Sequence, residues 1–547
     1  MKIKFCGAAK SVTGSCHLFT TEKYKVLLDC GQFQGGKKME EENYAEFPFD
    51  PTEIDCVILS HAHIDHCGRL PLLVKRGFEG KIYCTDATAD LVEILLKDSA
   101  YIHEKEAEWK NKKAMRAGTE LVEPLYTIKD AEKTFKLLTP ILYDQLVEIN
   151  DQMKIVFNDA GHILGSAVVE IWATEGEKTT KTVFSGDIGV EGRPILRDPT
   201  IIKKADYVIM ESTYGNRMHP QGSTSVESLF EIILATKKRG GTVVIPSFAV
   251  GRTQELIYQL NRLYEERDDL KKELEDLYVY IDSPMATNAT DVFRKNAQVF
   301  DEETKAYILK GDNPLDFKNL KFTRDVNESR ELNFNKEPKV IISASGMCDA
   351  GRIRHHLKHN LWDPRNSIVF VGYQAEGSLG RYILEGASEV RLFGETIKIN
   401  AQIHNLQGFS GHADQEGLLH WISGFQTSPK QVFLVHGEED GKLELAKKIT
   451  EKLGFDVTPI LNYSEYDLEA GAITGNSVEE EVITPTKLDD ARIKLSNMHD
   501  SLDSIIYNSQ LAMNKDMPPE KLVEINNRIL ELEKSLMNLG AKITEEV

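Results

Sequence analysis

Along the first two hundred residues apolar positions come in short runs, and the runs change period. KVLLDC, DCVILS, KIYCT, MKIVFNDA, AVVEIWA and KTVFSGD read as strands, while ADLVEILLKDSAYIHEKEAEW carries apolar residues three and four apart and reads as a helix. This alternation predicts an α/β layout, with sheets covered by helices. A second α/β unit follows DYVIMESTY: strand GTVVIPSF, helix RTQELIYQLNRLYEE, strand LYVYID, a helical stretch near 290–310, strand KVIISAS, helix GRIRHHLKHNL and strand SIVFVGY. From about residue 396 the first texture returns, with helix QEGLLHWISGF and strand QVFLVHGE. The expected organisation is one domain from residues 1–212 and 396–470, an inserted domain at 213–395, and a tail at 471–547.

The tail has a third pattern. Leu522, Ile525, Ile529, Leu532, Leu536 and Leu539 keep a three-four spacing, as do Leu488, Ala491, Leu495, Met498, Leu502 and Ile505. Two such helices joined at NKDMPP predict a helical hairpin. A stripe packed on the protein's own body and a self-association device both fit it; the second would make the protein a homo-oligomer, a dimer.

Composition narrows the function classes. A chain of 547 residues is too long for one ordinary core. Its 41% hydrophobic and 28% charged residues are those of a globular protein in water. No long apolar segment predicts a membrane span, and the opening MKIKFCGAAK lacks the apolar core of a signal peptide. The seven cysteines form no C-x-x-C pair, so buried reduced thiols and a cytoplasmic location are expected. The net charge of −20 argues against wrapping nucleic acid by bulk electrostatics. Residues 213–395, with 25 basic and 27 acidic side chains, form the least repulsive segment; a polyanion would have to be met by local cations, metal ions or backbone amides.

The densest chemistry lies in VILSHAHIDHCGRLPLL. His61 and His63, two apart, fall on one side of a turning backbone, and Asp65 and His66 follow as a helix begins. A zinc ion takes three or four such ligands, so this turn either crowds one ion or is shared between two. His162 in a Gly-flanked loop and Asp187 ending the strand KTVF extend the set. A carboxylate ending a buried strand is costly unless paired or metal-bound, which makes Asp187 a natural bridge. Asp29, ending KVLL, is either a turn former or a hydrogen-bond acceptor behind the ligands, and we favour the latter.

The H-x-H-x-D-H turn, with Asp29 before it and His162 and Asp187 after it, resembles the metallo-β-lactamase superfamily. Its αββα sandwich is the fold expected, with the inserted unit similar to a β-CASP α/β domain and a C-terminal helical hairpin. Glu211 in VIMEST, His412 in GFSGHAD and His436 in FLVHGE match the extra motifs of the RNA-processing branch, which includes the cleavage and polyadenylation endonuclease and ribonuclease J. PSFAVGRTQEL, IDSPMA, SASGMCDAGR and GYQAEGSLGR are also similar. The resemblance implies two zinc ions per chain, one on His61, His63, His162 and Asp187 and one on Asp65, His66, Asp187 and His436. It implies hydrolysis of RNA by a metal-bridging hydroxide, with Asp65, His412 and Glu211 as catalytic residues: His412 protonates the leaving oxygen and Glu211 holds its imidazole.

Three rivals carry different expectations. A small-ester hydrolase would lack residues 213–395. A DNA-processing β-CASP nuclease usually carries valine where this chain has His436. A scaffold protein would have lost ligands, and all seven positions are filled here. Archaeal relatives carry KH domains before the first strand and this chain shows none, so specificity is expected from the inserted domain, the tail or a partner. Ser345, Gly346, Arg352 and Ser378 lie in small-residue loops that open helices, where backbone amides could hold phosphate; plain helix capping fits equally. The run RIRHHLKHN is either a strand-contacting basic face or, for His355, His356 and His359, a solvated one, and Arg252 is similarly open.

Overall fold

A computed structural model describes residues 1–35, 37–219, 224–266, 274–372, 374, 377–406 and 410–473. The tail hairpin expected within 471–547 lies, beyond residue 473, outside the described residues.

Two sheets face each other across an apolar layer. In the first, strands run in the order Ala472–Ile473, Glu465–Asp467, Lys2–Phe5, His17–Thr20, Lys25–Leu28, Cys56–Ile58, Lys81–Thr85 and Leu138–Ile141. The second runs Val457–Pro459, Gln431–Leu434, Tyr207–Met210, Lys178–Phe184, Ala167–Glu175, Met153–Asp159 and Val147–Glu148. Inward-facing Phe5, Phe19, Ile58, Phe157, Val169, Phe184 and Phe433 fill the layer between them. Alternation supplies the outer faces as well: Leu91, Val92, Leu95 and Leu96 of helix Asp86–Ala117 cover the first sheet. Trp421 of helix Gln415–Ser423 and Leu445 and Ile449 of helix Glu439–Leu453 cover the second. The result is the expected helix–sheet–sheet–helix sandwich.

The inserted unit forms a parallel sheet of its own, in the order Leu320–Phe322, Tyr278–Ile281, Lys339–Ser343, Thr242–Pro246, Ser367–Phe370 and Gln402–Asn405. Its central runs VVI, VII and IVF are buried on both faces, as parallel strands between helices must be. Past the boundary expected at 395, Gln402–Asn405 pairs with Ser367–Phe370 as the sixth strand of this sheet, a pairing that a short half-exposed strand does not announce in its own sequence. The insert docks on the sandwich through helix Pro284–Lys295, whose Lys295, together with Asn296 at its end, bonds the two Asp90 oxygens on helix Asp86–Ala117, each at 2.8 Å.

All seven cysteines are free and buried, as expected. Among the described residues no helix is long and apolar enough to cross a membrane.

Phe433 sits fully buried at the centre of the inter-sheet layer, its ring 5.4 Å from Phe5, 4.7 Å from Tyr466 and 6.5 Å from Tyr207 between centroids. Phe433→Ala should therefore cost about 3–5 kcal/mol through lost burial and a cavity that aromatic neighbours cannot collapse into. Urea unfolding followed by tryptophan fluorescence measures it, and a loss under about 1 kcal/mol contradicts this packing.

Candidate metal centre

Every candidate ligand follows the carboxyl end of a strand. His61 and His63 lie in the loop after Cys56–Ile58, with Asp65 and His66 in the short helix Ile64–Cys67. His162 follows Met153–Asp159, Asp187 follows Lys178–Phe184, and His436 follows Gln431–Leu434. The loops approach closely: a Cβ on Gly31 would stand 1.6 Å from the Asp65 carbonyl oxygen, so only glycine admits this turn.

Two donor groups result. His61, His63, His162 and Asp187 form one, and Asp65, His66 and His436 the other, with ligand atoms in each within 4.8 Å of one another. Asp187, 1% exposed, lies against both: its Oδ2 is 3.4 Å from His61 Nε2 and 3.3 Å from His66 Nε2, and its Oδ1 is 3.6 Å from His436 Nε2. Oδ1 has no hydrogen-bond partner among the described residues. Burial alone would raise this carboxyl, but the imidazoles of His436 and His66 outweigh it and hold the group well below the usual range.

These donors fit a cation. His61 Nε2 and His162 Nε2 each lie 3.1 Å from His63 Nδ1, and His66 Nε2 is 3.0 Å from His436 Nε2. Burial drives His61 and His162 well below their ordinary pKa and His63 down to about 4, so all three rings are neutral and each can offer a lone pair to a metal. Tetrahedral zinc with Zn–N near 2.0–2.1 Å sets nitrogens about 3.3 Å apart, close to the spacing seen. Burial opposes a charge on His66 too, yet Asp187, Asp65 and Asp29 outweigh it and push that pKa well above normal. The pocket demands positive charge.

Supporting bonds choose which nitrogen faces inward. His162 Nδ1 donates to the Gly411 carbonyl at 3.0 Å, leaving Nε2 for a metal. His436 Nδ1 contacts Thr213 Oγ1 at 3.1 Å and His61 Nδ1 contacts Ser60 Oγ at 3.0 Å. Asp29 is wholly buried and accepts from His66 Nδ1 at 2.7 Å, the Ser60 N–H at 2.8 Å and Ser15 Oγ at 3.0 Å. Asp29 also occupies a turn at φ 58°.

Glu211, 1% exposed, accepts the Ile188 N–H at 2.6 Å, and the same oxygen lies 3.3 Å from His412 Nδ1. Burial would lower His412, but Glu211 and Asp187 outweigh it and raise the pKa to about 9. A third donor set, Asp187, Glu211 and His412, thus adjoins the first two.

The weaker candidates separate. Ser378 Oγ accepts the Arg381 N–H and caps helix Leu379–Leu384, while Gly346 abuts the Phe248 ring, 3.2 Å from where a Cβ would stand. Ser345 lies in the same loop, half-buried. Arg352 Nη1 donates to buried Asp282 at 2.6 Å. The solvated face expected for the basic helix fails at His356, which is 0% exposed and bonds Asp282 at 2.6 Å: one turn of that helix points into the sheet. Arg252 is 7% exposed and pairs with Glu255 at 2.5 Å.

One neighbour was not anticipated. Arg193 Nη2 donates to Glu255 at 2.5 Å, and its buried Nη1 has no partner among the described residues. A Cβ on Gly411 would stand 3.6 Å from this Nη1 and 3.2 Å from His162 Cε1. Nothing in the run EGRPIL marks that arginine, because its partner lies in another domain.

With this geometry in place, the likeness to known proteins is informative. The chain matches a metallo-beta-lactamase superfamily domain over residues 18–187, a Beta-Casp domain over 253–383 and a Zn-dependent metallo-hydrolase RNA specificity domain over 396–459. Ribonuclease TTHA0252 of Thermus thermophilus is 40% identical over 447 residues, which cover 82% of this chain and 95% of that protein. Transcription termination factor FttA of Methanocaldococcus jannaschii is 34% identical over 459 residues, covering 82% and 69%. A crystal structure of a protein of unknown function from Enterococcus faecalis V583 shares the fold alone, with TM-score 0.50 at 11% identity over 84% of this chain and 97% of that one.

Asp29→Asn should lower metal affinity about 10–100-fold by weakening the hold on His66, while leaving every ligand in place. Competition against a chromophoric chelator reads this directly; unchanged affinity removes Asp29 from the metal centre.

Proposed function

Because the chain belongs to the Beta-Casp branch of the metallo-beta-lactamase superfamily, we propose that it is a metal-dependent ribonuclease hydrolysing RNA phosphodiester bonds at the His/Asp centre. The observation that carries this reading is Asp187, buried and shared between two donor groups, with the His412–Glu211 pair beside it. Two zinc ions, one held by His61, His63, His162 and Asp187 and one by Asp65, His66, Asp187 and His436, would supply Lewis acidity to the scissile phosphate and an activated water as nucleophile.

The chain's own groups do the rest. Glu211 holds His412 by Nδ1, which leaves the opposite ring nitrogen to hand a proton to the departing oxygen. Asp29, Thr213 and the Gly411 carbonyl fix three ligand rings. Asp65, half-buried at the mouth of the second group, orders the attacking side. RNA rather than DNA is supported by the name of the Thermus relative and by a histidine at 436; the large insert speaks against a small ester. Free buried cysteines suit the reducing cytoplasm.

Elemental analysis of protein purified without chelator should find about two zinc ions per chain, and chelation should abolish cleavage reversibly. Zinc near zero after reconstitution defeats the mechanism. Among variants, His412→Ala should keep its zinc and slow cleavage by about 10²–10⁴, the usual share of one general acid. Glu211→Gln should lose less. RNA with a sulfur-bridged leaving group needs no proton donor and should restore the rate; if His412→Ala cleaves that analogue as poorly as ordinary RNA, proton donation belongs elsewhere.

A further inference from the structure

The basic helix that the metal centre does not use borders a cavity of about 700 Å3. This cavity lies between helices Val326–Phe334 and Ile353–Asn360, beside residues 349–352 that lead into the second of them. Its lining holds Arg330, Arg352 and Arg354 against one carboxylate, Asp349, which already accepts the Leu379 N–H at 3.0 Å. On a chain of net charge −20 this is a local reversal of sign.

Aromatic rings line the same cavity. Phe334 is 71% exposed and faces His359 at 5.9 Å, and Phe393 is 49% exposed. Phe393 stacks flat on His355 at 4.2 Å and 17°, with the Arg354 guanidinium 5.4 Å from its ring. Phe393 also occupies a costly backbone position. It opens the two-residue turn between Glu389–Leu392 and Glu395–Lys398 at φ 51°, followed by Gly394 at 82°. A turn with two positive φ values favours Asn or Asp at its first position, and a bulky aromatic there is an outlier that hairpin formation does not explain.

A run of residue contacts links one wall of the cavity to the loop of His162. Loop 344–352 forms one of its walls, and Gly346 of that loop abuts Phe248, itself 46% exposed. Three residues on, a Cβ at Gly251 would meet Ile163, the neighbour of His162, at 3.5 Å.

We propose that this cationic, aromatic-lined cavity on the inserted domain is a binding site for single-stranded RNA, stacking bases on Phe393 and Phe334 and holding phosphate on Arg330 and Arg354. It rests on the ribonuclease reading and supplies the substrate contact that the chain's total charge denies. Stacking on exposed aromatics with nearby arginines is the sequence-tolerant mode of single-strand binding.

The test is binding of a fluorescein-labelled 20-nucleotide RNA to the metal-loaded full chain carrying His412→Ala, with the RNA checked for integrity on a gel. Phe393→Asn relieves the turn, so it should not lower the melting temperature, yet it should weaken binding about tenfold; Phe334→Ser should do the same. Arg330→Gln should reduce the slope of log Kd against log salt by about 0.7, the loss of one single-strand phosphate contact. No binding by the parent, or equal Kd and equal slope in all three variants, overturns the site. Cleavage is assayed in parallel with His412 intact. RNA cleavage alongside unaltered binding in the variants removes the cavity and leaves the nuclease, whereas variant-sensitive binding without cleavage removes the nuclease and leaves the cavity.

Discussion

The fold turns on one buried carboxylate. Asp187 is removed from water, and an isolated charge in that position costs several kcal/mol unless opposite charge meets it. Imidazoles from four segments converge on it, and ring nitrogens among the surrounding histidines stand 3.0–3.1 Å apart, a spacing that suits a shared cation. Such convergence needs two sheets whose carboxyl edges open on the same side. The parallel pairs Lys25–Leu28 with Cys56–Ile58, and Lys178–Phe184 with Tyr207–Met210 and Gln431–Leu434, provide it.

The insert leaves the sandwich just after Glu211 and returns just before His412, so the proposed proton donor and the group that charges it stand at its two attachment points. A second link crosses nearby: Arg193 of the sandwich and Arg252 of the insert share the Glu255 carboxylate, each at 2.5 Å. Three buried charges in one contact are costly to separate, because each part left behind would be unpaired. That contact ties the insert to the loop beside His162, where the Arg193 nitrogen that has no partner among the described residues lies. The placement of the insert and the shape of the site are thus one problem rather than two.

Charge follows the same division. The chain as a whole repels polyanions, while the metal centre is built for positive charge and a cavity between two helices of the insert gathers arginines beside exposed rings. Attraction is therefore local, and short-ranged at physiological salt, where fields decay over about 8 Å. A substrate recognised this way is selected by contact rather than drawn in from a distance.

How much of this was legible depended on the range of the interaction involved. His61, His63, Asp65 and His66 announce themselves because their chemistry is packed into one turn, and Asp29, Asp187 and His436 because each ends an apolar run, a position where charge needs a reason. Strand and helix periods located the sandwich and the insert, since burial on one face or two leaves a periodic trace. The sixth strand of the inserted sheet, the burial of His356 against Asp282 and the Arg193–Glu255 pair left no such trace. Their partners stand 35, 74 and 62 residues away, and an ion pair or a strand edge carries no local period. Local chemistry determined which residues could hold a metal; only the tertiary structure decided which nitrogen each ring turns inward, because that choice is made by a hydrogen bond from another segment.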